Sequence, residues 1–219
     1  TGMMAIAQAE GMYHAGVSGT LKHFCCNNQE MSRHTADSVV SERALREIYL
    51  KPFELCVRSG YVRSIMTSYN PVNGIWTAGN YDLNTSILRN EWGYTGMVMT
   101  DWWAKMNEEG EAPSPQNIAA MVRAQNDVFM VTPDTTAYED NLTDALADGR
   151  LTRAELTRSA ENICRFLTES PAFAALTGCD TPVEQKNRPA EFSSEDLGSM
   201  TAHKIGTDTV FPLAEYPTD

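Results

Sequence analysis

Four times along this chain a short apolar run reads as a strand, and around those runs the hydrophobic spacing changes to a helical period. The strand-like segments are 17–24, 62–69, 96–100 and 127–131, and the helical ones are 42–59, 80–91 and 114–125. Strands separated by helices cannot close as hairpins, so they lie parallel and are joined by helical crossovers. The fold class is therefore α/β, built from about four βα units. Local punctuation agrees. Pro52 suits the first turn of a helical segment, Gly60 and Gly149 suit helix ends, and Thr152-Arg153-Ala154-Glu155 forms a capping box that opens a helix running to about Thr168. Residues 2–15, rich in Ala and Met, predict one more helix ahead of the first strand.

The strand exits hold the chemistry. Asp101 ends the apolar run that begins at Gly96 and is followed at once by Trp102. A carboxylate at the exit of a buried strand suits a nucleophile. An indole beside it suits a pyranose, whose C–H face stacks on aromatic rings while its hydroxyls need charged or amide partners. Lys22 and His23 close the first strand and lead into Asn27-Asn28-Gln29-Glu30 and Arg33, a loop dense in hydroxyl-binding groups. Met66 and Tyr69 end the second, ahead of the turn Pro71-Val72-Asn73-Gly74. Taken one at a time these residues admit plainer roles: Asp101 as a helix cap, Lys22 as a solvated lysine, His23 as a core histidine, Arg33 in a surface ion pair, and Met66, Tyr69 and Trp102 as core or rim. Trp103 reads as a core side chain.

Composition excludes other classes. A chain of 219 residues with 42% hydrophobic content can bury a core. With 29 acidic against 17 basic residues and a net charge of −12, it has no basic footprint for nucleic acid. Neutral small molecules are the natural ligands. No apolar run approaches the ~20 residues of a membrane span, and residues 1–20 lack the pattern of a signal peptide. The cysteines, Cys25, Cys26, Cys56, Cys164 and Cys179, are odd in number and form no CxxC pair, so they read as reduced and structural, with a lean towards a reducing, cytoplasmic compartment. The histidines, His14, His23, His34 and His203, show no metal-ligand spacing, and no metal or other cofactor is expected.

Four separated motifs carry a resemblance. Lys22-His23-Phe24 with Asn27-Asn28-Gln29-Glu30, the run 41–50 beginning Ser41-Glu42-Arg43, Met66-Thr67-Ser68-Tyr69-Asn70, and Met99-Thr100-Asp101-Trp102 together resemble the β-glucosidases of glycoside hydrolase family 3 over roughly residues 1–170. The resemblance implies a retaining hydrolase that cleaves terminal β-D-glucosyl residues through a covalent glycosyl-enzyme on Asp101. It implies that Tyr69 orients this nucleophile, that Lys22, His23, Arg33 and Met66 bind the sugar, and that Trp102 lines the mouth of the site and stacks on the leaving group. Asn28, Gln29 and Glu30 organise the loop, and Glu30 stands where the family does not place its acid. The N-acetylglucosaminidase branch is a poorer match, because a glycine-histidine loop there replaces Cys25-Cys26-Asn27-Asn28.

The same resemblance implies a TIM-type (β/α)₈ barrel, of which four units are the C-terminal half. Eight strands and ~250 residues are usual for that fold, so the chain looks truncated. The expected domains are a partial catalytic barrel over 1–170 and an irregular polar tail or linker over 171–219, rich in proline. The general acid/base, a glutamate on a following domain in the family, has no counterpart here; Glu108, Glu109 and Glu111 read as a solvated loop. The expected partners are a small carbohydrate, the other half of the barrel with the acid/base domain on the parent or another chain, and a second copy of this chain; neither nucleic acid nor membrane is expected. The competing reading is a catalytically silent carbohydrate-binding or assembly module made from half a barrel.

Overall fold

The protein is represented by a computed structural model that describes residues 1–131, 139–170, 172, 173, 177 and 178. The predicted tail, 171–219, lies outside the described residues apart from those last four positions, as do Cys179 and His203. The described residues fall in the compact unit Thr1–Glu184; a second unit, Gln185–Asp219, lies outside them.

Helix α1 (Gly2–His14) precedes strand β1 (Thr20–Phe24). A helical stretch follows as α2 (Glu42–Ala44), a π turn (Leu45–Tyr49) and α3 (Lys51–Arg58). Ser41 Oγ caps its start by accepting from the Ala44 N–H. The wide turn has a local cause: Pro52 has no N–H to offer and its ring crowds the preceding turn, so Leu50 N–H bonds back to Leu45 O at 2.8 Å. Strand β2 (Ser64–Thr67) comes next, then a hairpin of β3 (Pro71–Val72) and β4 (Ile75–Trp76). Its two-residue tip is Asn73-Gly74, with φ of 50° and 88°, the positive values that such a tight turn requires. A 3₁₀ turn (Thr77–Gly79) and a π-helix (Asp82–Glu91) lead to β5 (Met97–Met99), and α4 (Ile118–Arg123), α5 (Leu142–Asp148) and α6 (Arg153–Thr168) complete the order.

The sheet is parallel, in the order β1-β2-β5, with Leu21, Ile65 and Val98 in one row. The predicted fourth strand narrows to a single parallel bridge, Met99 to Val128. A side chain takes over the ladder there: Thr100 Oγ1 accepts from the Met130 N–H at 2.9 Å, where a strand would present a backbone carbonyl. The helix predicted over 114–125 begins only at Ile118, because Ser114 exchanges both backbone bonds with Met106 and Asn117 then caps the helix. Helix α5 went unread apart from its terminal Gly149, whose φ is 82°. The capping box at Thr152 and Glu155 is present.

Two apolar clusters hold these elements. One lies between the sheet and the surrounding helices and contains Phe24, Leu50, Ile65, Leu88, Trp92 and Val98, with Ala5, Ile6 and Ala9 of α1 packed against it. The other gathers Tyr69, Met106, α4, Ala145 and Leu151. Buried polar groups form a seam of their own. Asn126 Nδ2 donates to Thr67 Oγ1 and Ala78 O, Asn84 Nδ2 to Thr77 O, Thr77 Oγ1 to Ser68 O, and Ser68 Oγ to Cys25 O. An ion pair is also buried: Arg89 Nη2 meets Asp127 Oδ2 at 2.7 Å, and Asp127 also accepts from Val98 N–H and Asn162 Nδ2. Burial pushes the Asp127 carboxyl above its ordinary range, against the pull of Arg89 and the two other donors.

Among the described residues no helix is long and apolar enough to cross a membrane, and no group of three His, Cys, Asp or Glu side chains could hold a metal ion. Cys25, Cys26, Cys56 and Cys164 are free thiols.

Candidate active site

Asp101 follows β5 and is buried, 6% exposed. Parallel strands in chain order deliver their carboxyl ends to one edge of the sheet, so the loops after β1, β2 and β5 meet there. Three groups converge on the Asp101 carboxylate. The Trp102 N–H donates to Oδ1 at 2.8 Å. His23 Nε2, from β1, lies 3.4 Å from Oδ2. The Tyr69 hydroxyl, from the segment after β2, faces the same carboxylate closely enough to feel its charge.

Burial is the main influence on both side-chain partners. It lowers the His23 pKa, and the charges of Lys22 and Arg33 lower it further while Asp101 pulls it back up. It raises the Tyr69 phenol, and the nearby negative charge of Asp101 adds to that rise. The imidazole is therefore held neutral and the phenol protonated near neutral pH, which suits them to orient a carboxylate by hydrogen bonds.

Arg33 reaches the cluster through Tyr69, with its guanidinium 4.9 Å from the ring centroid, and it is ion-paired with Glu30 at 2.9 Å. Lys22 is exposed, and with His23 it lines a cavity of about 450 Å³ that also touches Asn27, Asn28 and Phe53. Asn27, Asn28, Gln29 and Arg33 line a second cavity of about 300 Å³ with Asp37, Ser38 and Asn70. Met66 is buried in β2 and pairs with Met99, two residues before Asp101. Trp102 is 40% exposed, on the rim.

Two residues differ from expectation. Trp103 is not a core side chain: it is 49% exposed, on a backbone with φ of 52°. His34, an isolated histidine in the sequence, stacks on Tyr69 with ring centroids 4.0 Å apart and planes at 38°, and its carbonyl accepts from Trp76 Nε1. Only its adjacency to Arg33 could have signalled this, because the contact depends on the hairpin that brings Trp76 across.

The sequence profile for the glycosyl hydrolase family 3 N terminal domain matches residues 1–166. A β-glucosidase of Ruminococcus albus is 60% identical over 198 residues, which cover 90% of this chain and 21% of that protein. An exo-α-(1→6)-L-arabinopyranosidase of Bifidobacterium breve is 37% identical over 216 residues, 99% of this chain and 26% of its own. The solved structure of a Paenibacillus barengoltzii β-glucosidase superposes with a TM-score of 0.76 at 57% identity, over 79% of this chain and 19% of the other. The chain thus spans about a fifth to a quarter of the length of these relatives. The profile match runs through Lys22, His23, Tyr69 and Asp101 alike, and by it the chain belongs to glycosyl hydrolase family 3.

Proposed function

We propose that this chain supplies the nucleophile half of a retaining β-glucosidase site. The observation that carries the reading is the buried Asp101 carboxylate, which accepts a bond from the Trp102 N–H and is flanked by Tyr69 and His23. A carboxylate so fixed is arranged to attack an anomeric carbon in line: a bond forms from the carboxylate oxygen to C1 as the glycosidic C1–O bond breaks. Water then releases the sugar. Lys22, His23 and Arg33 bind sugar hydroxyls, Met66 closes an apolar wall, and Trp102 at the mouth stacks on the leaving group. Tyr69 orients the nucleophile.

In this reading residues 1–170 are four of the eight βα units of a barrel, and 171–219 form a tail or linker. The proton for the leaving group comes from a carboxyl group outside the cluster around Asp101. The Ruminococcus relative supports glucose as the sugar. The Bifidobacterium relative is named for arabinopyranose, so the pyranose ring is the firmer inheritance.

In the full protein carrying this sequence, Asp101→Asn keeps the shape and removes the nucleophile. Turnover of an aryl β-glucoside should fall by several orders of magnitude with folding intact. A 2-deoxy-2-fluoroglucosyl fluoride should leave its sugar on the peptide containing Asp101. Near-normal turnover by the variant, or a label on another carboxylate, refutes the assignment.

A further inference from the structure

The loop 34–40 is laid along the hairpin that follows Tyr69. The Ser38 N–H donates to Pro71 O at 3.0 Å, and the Asn73 N–H to Ser38 O at 3.3 Å. Asn73 also holds both backbone groups of Val40, accepting from its N–H at 2.9 Å and donating to its O at 3.0 Å, while the Gly74 N–H donates to Asp37 Oδ1 at 3.1 Å. At the far end Trp76 Nε1 donates to His34 O at 3.2 Å. Because Tyr69 leads directly into this hairpin, the bonds carry residues 33 and 34 back to it, and both side chains reach its phenol ring. The His34 ring centroid lies 4.0 Å from that of Tyr69 with planes at 38°, and the Arg33 guanidinium is 4.9 Å from the same centroid. Arg33 is shared with Glu30. His34 is exposed and belongs to neither apolar cluster, whereas Tyr69 is buried, so the imidazole lies on the phenol as a cover.

We propose that His34 is a positioning residue whose ring fixes the plane of Tyr69 and thereby the aim of the phenol at the Asp101 carboxylate. This rests on the proposed roles of Asp101 and Tyr69. The hydroxyl stands at the far end of the Tyr69 side chain, so a small swing about χ1 is enlarged at the oxygen. A flat ring laid against the phenol opposes that swing, and small misplacements around a reacting group are costly in rate. The hold on the backbone is separate from the hold on the ring. Trp76 meets the His34 carbonyl, which belongs to the main chain, so exchanging the side chain leaves the loop fastened to the hairpin.

The test is His34→Ala beside His34→Phe in the full protein that carries this sequence. Both variants keep the carbonyl that Trp76 bonds, and the side chain they replace is exposed, so both should melt within a few degrees of wild type. On 4-nitrophenyl β-glucoside, His34→Ala should lower kcat and kcat/KM together by about 3- to 10-fold, the size of one aromatic contact, with the inhibition constant for glucose within about twofold of wild type. His34→Phe puts a flat ring back and should recover kcat to within about twofold. An unchanged kcat in His34→Ala, a loss of glucose affinity equal to the loss of kcat, or no recovery in His34→Phe overturns the proposal and leaves the reading of Asp101 standing. A wild type that turns over no β-glucoside, or an Asp101→Asn variant as active as wild type, overturns the reading of Asp101 and this proposal with it.

Discussion

His23 couples the site to pH in a direction that can be worked out. Burial makes the folded chain hold the His23 proton more weakly than the unfolded chain, whose histidine titrates near ~6.5. As pH falls through that value the unfolded state takes up a proton first. Stability is therefore full above about 6.5 and declines as pH drops towards the folded value. His23→Gln removes that contribution, so urea midpoints between pH 7 and 5 should fall less steeply than in wild type. Equal slopes would show that other groups dominate. Asp101, Tyr69 and His23 were legible because each ends or follows a strand whose pattern shows in the residues. Trp103 was not. Nothing in the run Asp-Trp-Trp-Ala marks a left-handed position, because the turn is imposed by the bond from the Trp103 N–H to Met130 O and carries no glycine.

At the level of elements, the π-helix, β5 and α6 are fastened together at one carboxylate. Asp127 takes bonds from Arg89, Val98 N–H and Asn162. Arg89→Met leaves that buried charge without its cation and should cost about 3–5 kcal/mol by urea titration. Asn162→Ala removes one neutral donor and should cost about 1–3 kcal/mol. The reverse ranking would mean that the hydrogen bonds, rather than the ion pair, hold the junction. Helix α6 offers a smaller check: Thr152→Ala breaks the capping box and should cost about 0.5–2 kcal/mol. That box could be read from four adjacent letters. The π turn before α3 and the late start of α4 could not, since one needs the clash around Pro52 and the other a bridge from Ser114 to Met106.

On the scale of the whole molecule, the alternation of strands and helices was enough to yield a parallel α/β architecture, because period is a local property. The fourth strand was over-read for the opposite reason: whether an apolar run forms a ladder depends on its neighbour's side chains, and Thr100 occupies that place. Among the described residues β1 is bonded to β2 alone, so its outer edge is open. Such edges recruit strands. The 219-residue polypeptide expressed alone should therefore associate in sedimentation experiments and leave cellobiose uncleaved. A stable monomer that cleaves cellobiose efficiently would contradict both the open edge and the proposed division of catalytic groups.

The buried polar seam bears on how this sequence can drift over generations. Within the apolar clusters a leucine can be exchanged for a methionine at small cost, because shape and volume are all the neighbours require. Asn126, Asn84, Thr77 and Ser68 have no such freedom: each satisfies a main-chain carbonyl that no hydrocarbon could serve. Descendants of this chain should keep these four polar residues about as faithfully as Asp101 itself. A search for invariant positions would then rank structural amides and hydroxyls beside the reactive carboxylate, although none of the four need ever touch a sugar.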